Sequence, residues 1–220
     1  KPFSMTFGVI GDEWRKKAEN FKQEEPYGTP IDSPIKGTYG FEDDEEEKVV
    51  KMVTQITKGE ISTEKKYEGQ KAAKLESTGG KKIDKDRPNI QTTLNWNQGV
   101  GEFSLMIFME ENSWIHFGMS FDNKFALKNG TVSFGKTDVC TFPYGKWFQL
   151  KIVAGYGDDN NGKIKVIIDD NDPIEVSSTY KKSTDALFEV VNSTTNIYVD
   201  NIVAKLDCEA LDYFDNYASD

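Results

Sequence analysis

Histidine, arginine and cysteine are almost missing from this chain. Its 220 residues include one histidine, His116, and two cysteines, Cys140 and Cys208. Arginine stands only at Arg15 and Arg87. One imidazole with two distant thiols matches no zinc spacing, which argues against a zinc site. The thiols fit either one disulfide of an exported protein or two buried side chains. No apolar run approaches the roughly 20 residues that span a bilayer, which argues against membrane insertion. Positive charge is also short: 27 Lys and Arg face 37 Asp and Glu, for a formal net charge of −10. A protein that tracks phosphates needs a basic footprint, so nucleic acid is disfavoured as a partner, and an anionic membrane surface with it. Divalent cations and neutral ligands stay open. The chain starts at Lys1 with no signal-peptide pattern, as expected of a mature protein or of one module of a larger one.

What is present is a surface-rich composition: 37% hydrophobic, 29% charged, mean hydropathy −0.61. Two thin packed layers have that balance. The first forty residues read as an arm. In "DEWRKKAENFKQ" (Asp12–Gln23), Trp14, Ala18 and Phe21 share one stripe of a short helix with Asp12 as N-cap. The "EEPYGTPIDSPIKGTYG" that follows has three prolines and three glycines and reads as a linker. From Phe41 to Leu206 the texture is short β-type runs separated by turns, and residues 207–220 form an acidic tail. Expected strands are Val49–Thr57, Ala72–Glu76, Ile90–Asn95, Glu102–Glu110, Ser113–Phe121, Lys124–Lys128, Thr131–Phe134, Trp147–Ala154, Lys163–Asp169, Ile174–Ser177, Ala186–Val191 and Ile197–Leu206. "GYGDDNNG" and "DDNDP" read as hairpin turns. Many short antiparallel strands without helices between them predict an all-β, antiparallel jelly-roll β-sandwich with a short N-terminal arm.

The stretch "YGKWFQLKIV" (Tyr144–Val153) sharpens one question. Phe148, Leu150 and Ile152 alternate with Gln149 and Lys151, and parity puts Trp147 on the polar face. Either that indole is displayed for a ligand, or the alternation breaks and it plugs the core.

Three stretches together resemble a known group. "YGFEDDEEE" with "ISTEKKYEGQKAAKLES" is similar to the opening of many carbohydrate-binding modules. "GKWFQLKIV…GKIKVIIDD" resembles the Trp-centred strand pair of laminin-G-like and concanavalin-A-like jelly rolls, and "NIYVDNIVAKL" their closing strand. The resemblance covers roughly residues 40–206. It implies that Trp147 belongs to the packing. It also implies a structural Ca²⁺ where first and last strands meet, with Glu42 and Asp200 at the matching positions and Asp44 as a helper; hard oxygen donors suit that ion.

Sugar recognition needs flat apolar faces for C–H-rich rings, with amides, hydroxyls and carboxylates for the hydroxyl groups. "NWNQG" offers Trp96 between Asn95 and Asn97; "ENSWIHFG" offers Trp114 and His116 on one face by parity; Tyr156 opens a polar hairpin loop. These six residues are the candidate ligand contacts. Catalytic patterns fit less well. No nucleophile elbow accompanies His116. The "GDDNNG" loop fails the EF-hand spacing. Glu42, Asp44 and Glu46 alternate as in jelly-roll glycosidases, but Asp43 and Glu45 between them leave that strand no buried face. Scarce arginine weakens a lyase. The sequence therefore reads as a secreted or cell-surface module that binds a polysaccharide or glycan without cleaving it, beside other domains of a larger protein. A polysaccharide lyase or glycoside hydrolase of the same fold, and a laminin-G-like module that binds protein, are the alternatives.

Overall fold

A computed structural model describes residues 37–39, 55–119, 124–157, 162–178 and 182–207. The helix expected over Asp12–Gln23, the acidic tail beyond Asp207, Cys208, Glu42 and Asp44 lie outside them. Among the described residues there are fifteen strands and no helix. In chain order they are β1 (Gly37–Tyr39), β2 (Gln55–Thr57), β3 (Gly59–Ser62), β4 (Ala72–Leu75), β5 (Asn89–Trp96), β6 (Gly99–Phe108), β7 (Trp114–Gly118), β8 (Lys124–Lys128), β9 (Thr131–Phe134), β10 (Thr137–Thr141), β11 (Trp147–Tyr156), β12 (Lys163–Ile168), β13 (Ile174–Ser177), β14 (Ser183–Asn192) and β15 (Ile197–Asp207).

They form two antiparallel sheets. One runs β13-β12-β11-β6-β15-β4-β3, with β1 also paired to β15. The other runs β10-β9-β8-β7-β14-β5-β2. The fold is an all-β jelly-roll sandwich, as the alternation predicts. Three strands were not expected. β3 and β10 are short and weakly patterned, and β1 lies inside the segment read as an arm, where it pairs with Ile202–Ala204.

Inner faces supply the core. Phe103, Leu105 and Ile107 of β6 and Phe148, Leu150 and Ile152 of β11 meet Ile115 and Phe117 of β7 and Phe188 and Val190 of β14, all at most 3% exposed. Phe103 stacks on Phe117 with ring centroids 5.5 Å apart across the two layers. Burying one such side chain stabilises the fold by about 1.5–3 kcal/mol, so these alternating positions fix which face of each strand turns inward. Cys140 on β10 is a free, half-buried thiol, and burial pushes its pKa up.

Candidate functional site: the outer face of the seven-stranded sheet

Once the apolar residues of β5, β7, β8 and β14 turn inward, their alternate residues form a polar outer face. The ladder lines them up in rows. Glu189 of β14 lies opposite Asn89 of β5 on one side and His116 of β7 on the other; His116 then faces Ala126 of β8, and Ala126 faces Ser133 of β9. In the next row Gln91, Leu187, Gly118 and Lys124 are neighbours. On the opposite side of His116, Trp114 pairs with Lys128 and Asn192. Gly118 and Ala126 have almost no side chain, so they leave a low floor between Trp114, His116 and Lys124.

Glu189 organises the charge. One oxygen, Oε1, accepts from Lys124 Nζ at 2.7 Å and from Arg87 Nη1 at 2.8 Å, and His116 Nδ1 lies 3.4 Å from it. Arg87 is held in that orientation by a second donation, Nε to the Ile83 carbonyl at 2.8 Å. Burial opposes ionisation of Glu189, but the contacts with His116, Lys124 and Arg87 outweigh it and hold the carboxyl down at about 2. Asp185, two rungs along β14, moves the other way. Burial pushes its carboxyl up against hydrogen bonds from Thr184 and Gln91, each 3.5 Å long. Trp114 meets His116 edge-on, centroids 5.3 Å apart, with Lys128 Nζ 4.5 Å and Lys82 Nζ 5.7 Å from its ring centre. The indole Nε1 is buried without a hydrogen-bond partner.

The six candidate contacts do not gather in one place. Trp114 and His116 share this face. Trp96 and Tyr156 are core residues, 2% and 5% exposed, packed edge to face at 5.9 Å. Their expected display is corrected: Trp96 continues the inward parity of Ile90, Thr92 and Leu94, and Gly101 faces the indole so closely that any side chain there would overlap it. Burial pushes the Tyr156 phenol up. Asn95, inside β5 at φ 52°, and Asn97, just beyond its end, flank Trp96 and are exposed. Trp96 pairs with Ser183 and Trp114 with Asn192, at opposite ends of β14, so the two tryptophans are about 30 Å apart along the sheet.

Asp200 lies on the other sheet and is fully buried. Its Oδ2 accepts the backbone N–H groups of Tyr67 and Glu68 at 2.9 and 3.3 Å, and its Oδ1 that of Asn201 at 2.8 Å. A cation there would compete with three N–H donors. Among the described residues no group of three or more His, Cys, Asp or Glu is placed to hold a metal ion.

Arg87, Lys124, Gln91, Asp185 and Glu189 are the site residues that sequence reasoning missed. The signal for two of them was in "TDALFEVV": Asp185 and Glu189 alternate with Ala186, Phe188 and Val190, which places two carboxylates on the solvent side of a buried strand.

No protein-family model matches the chain, and no curated protein matches it by sequence. Solved structures do match. A carbohydrate esterase of the Shiga toxin-encoding bacteriophage phi24B aligns at 12% identity and TM-score 0.51, over 79% of this chain and 99% of that one. An endo-β-1,4-glucuronan lyase of the fungus Trichoderma reesei aligns at 13% identity and TM-score 0.49, over 70% and 91% of the two chains. The cellulose-induced protein Cip1 aligns at 11% identity and TM-score 0.48, over 70% and 87%. What the esterase shares with this chain is the fold alone, the sandwich described above. Among the described residues no helix is long and apolar enough to cross a membrane.

Proposed function

We propose that this chain is an extracellular module that binds an acidic polysaccharide along the outer face of its seven-stranded sheet, without cleaving it. One observation carries the reading. In a chain of net charge −10, this face gathers four cations around Trp114 and His116: Arg87 and Lys124 share the single carboxylate of Glu189, Lys82 lies 3.4 Å from Asp84, and the exposed Lys128 stands by the indole. A sugar ring rests its C–H face on an indole, and the carboxylate of a uronic-acid residue so placed reaches the Lys82 and Lys128 ammonium groups. Asn89, Gln91 and Ser133 supply amides and a hydroxyl for the ring hydroxyls. The reading rests on this face, since likeness at 12% identity carries architecture alone.

Hydrolysis fits less well. Asp185 and Glu189 are four residues apart on one strand, about 13 Å, beyond the roughly 5–9.5 Å that separates paired glycosidase carboxylates. A lyase is the second reading, favoured by Arg87 and His116 meeting at one carboxylate. Against it, the Arg87 charge is already committed to Glu189. The test is titration with oligoglucuronate and oligogalacturonate, followed by analysis of the recovered sugar. Binding that falls about tenfold in Trp114→Ala, with the sugar recovered intact, is expected. Unsaturated product that disappears in His116→Ala would replace binding with elimination. No retention of any acidic oligosaccharide would overturn both.

A further inference from the structure

The opposite surface of the sandwich carries aromatic side chains that the acidic-sugar reading leaves unused. Tyr67, in the loop between β3 and β4, is 50% exposed. Its ring meets Trp147 edge-on at 6.0 Å, Trp147 meets Phe108 at 5.8 Å, and Phe108 meets Tyr198 at 6.4 Å. Trp147 thus keeps its parity on the outer face, half-buried beneath Tyr67. An open groove runs beside Phe108 and Tyr198, walled by Lys65, Glu110, Thr194 and Asn196. The loop that holds Tyr67 does not have to be ordered by a ligand. Asp200 grips the N–H groups of Tyr67 and Glu68 from below.

The chemistry of this groove differs from that of the cationic face. Lys65 and Glu110 lie 3.9 Å apart and cancel, and the other walls are hydroxyl and amide. Nothing there favours an acidic ligand. Phe108, with Lys65 Nζ 3.7 Å over its ring, and Tyr198 are both buried, so Tyr67 is the aromatic side chain of this patch that is open to a ligand. A peptide cannot add as a strand to β15, which runs beneath the groove, because β15 is already paired with β6 on one side and with β4 and β1 on the other. We propose that this groove, together with the exposed Tyr67 ring that Trp147 joins to Phe108, is a second carbohydrate site, taking a neutral hexose chain long enough to rest one ring on Tyr67 and set its hydroxyls on Asn196, Thr194, Lys65 and Glu110.

The site is tested apart from the first by titrating cellohexaose, mannohexaose and laminarihexaose into the wild-type chain, Tyr67→Ala, Tyr67→Phe and Trp114→Ala, with oligoglucuronate as the acidic probe. At least one neutral oligosaccharide should bind. Its affinity should fall about tenfold in Tyr67→Ala, as expected for losing one stacked ring, and should survive in Tyr67→Phe and Trp114→Ala. Oligoglucuronate should show the reverse dependence. Melting temperatures of the variants confirm that each is folded. Three results would overturn the second site: no binding of any neutral probe, neutral binding indifferent to Tyr67→Ala, or loss of neutral and acidic binding together in Trp114→Ala. Neutral binding through Tyr67 with no acidic binding would instead remove the first site and leave this one standing.

Discussion

The two outer faces of the sandwich solve the problem of polar exposure in opposite ways. On the seven-stranded sheet the outward positions are charged and short, and one carboxylate, Glu189, gathers three basic side chains. The eight-stranded sheet also carries outward ion pairs, Lys74 with Glu60 and Lys151 with Glu102. One end of it, however, is an aromatic patch of Tyr67, Trp147, Phe108 and Tyr198, and the carboxylate beneath that patch, Asp200, spends its oxygens on backbone N–H groups. One face is held by side-chain ion pairs, which a charged ligand can exchange for its own. The aromatic patch of the other is held by main-chain hydrogen bonds, which fix the Tyr67 loop and leave Tyr67 exposed. The difference predicts an acidic ligand for the first face and a neutral one for the second. It also predicts that the faces fail independently.

The largest effect is expected from Asp200→Ala. The substitution removes a buried, charged acceptor of three N–H bonds, a loss of about 3 kcal/mol. It should release the 63–71 loop, abolish neutral-sugar binding through Tyr67, and leave acidic binding at Trp114 intact. Chemical denaturation and the two titrations read all three. If acidic binding fell equally, the faces would be coupled and the contrast would collapse. Melting with a chelator separates the clamp from an ion at the same carboxylate. A hydrogen-bonded clamp is insensitive to chelation, so a lowered melting temperature would assign Asp200 to calcium.

Glu189 comes next. Its folded pKa of about 2 lies below the ordinary value of 4.5. The stability this contributes is therefore complete above pH 4.5 and is lost as pH falls toward 2. Because Lys124 and Arg87 are partly solvated, the contribution is about 2 kcal/mol rather than the whole shift. Acid unfolding of Glu189→Gln should be flatter than that of the wild type between those limits, and the variant should be less stable at pH 7. Equal slopes in both proteins would show that Glu189 is not the group that matters.

The strands were legible in the sequence because one face of each is buried, and alternation records that directly. β11 shows the strength of the signal: parity put Trp147 with Gln149 and Lys151, and that is the side on which it lies; the packing that the family resemblance implies is also there, against Phe108 and Tyr67 on the outer face and not in the core. "NWNQG" shows how local composition misleads. Three amides around an indole look like a displayed ring, yet the parity of Ile90, Thr92 and Leu94 carries Trp96 inward. The candidate site was only half legible. Trp114 and His116 are neighbours on one strand, so their shared face could be read. Their partners Arg87, Lys124 and Glu189 come from three other parts of the chain, and only the register of β14 against β7 brings them together. β3 and β10 were missed for a plainer reason, since "GEIS" has a single apolar side chain, Ile61, and "TDVCT" is too exposed to leave a pattern.

Lys128 should give the smallest effect and the most specific one. Its ammonium lies 4.5 Å from the centre of the Trp114 ring, on a lysine that is itself exposed. Such a contact is worth about 0.5–1 kcal/mol at a solvated site, so Lys128→Ala should barely move the melting temperature. If the ligand of this face is acidic, the same substitution removes one attractive charge from the bound carboxylate. Oligoglucuronate affinity should then fall about threefold at low salt, and the deficit should shrink as ionic strength rises and the Debye length shortens. Neutral-sugar binding at Tyr67 should show neither the loss nor the salt dependence. A deficit for oligoglucuronate that persisted at high salt would mean that Lys128 acts by supporting the indole, and the charge contrast between the two faces would lose its mechanism.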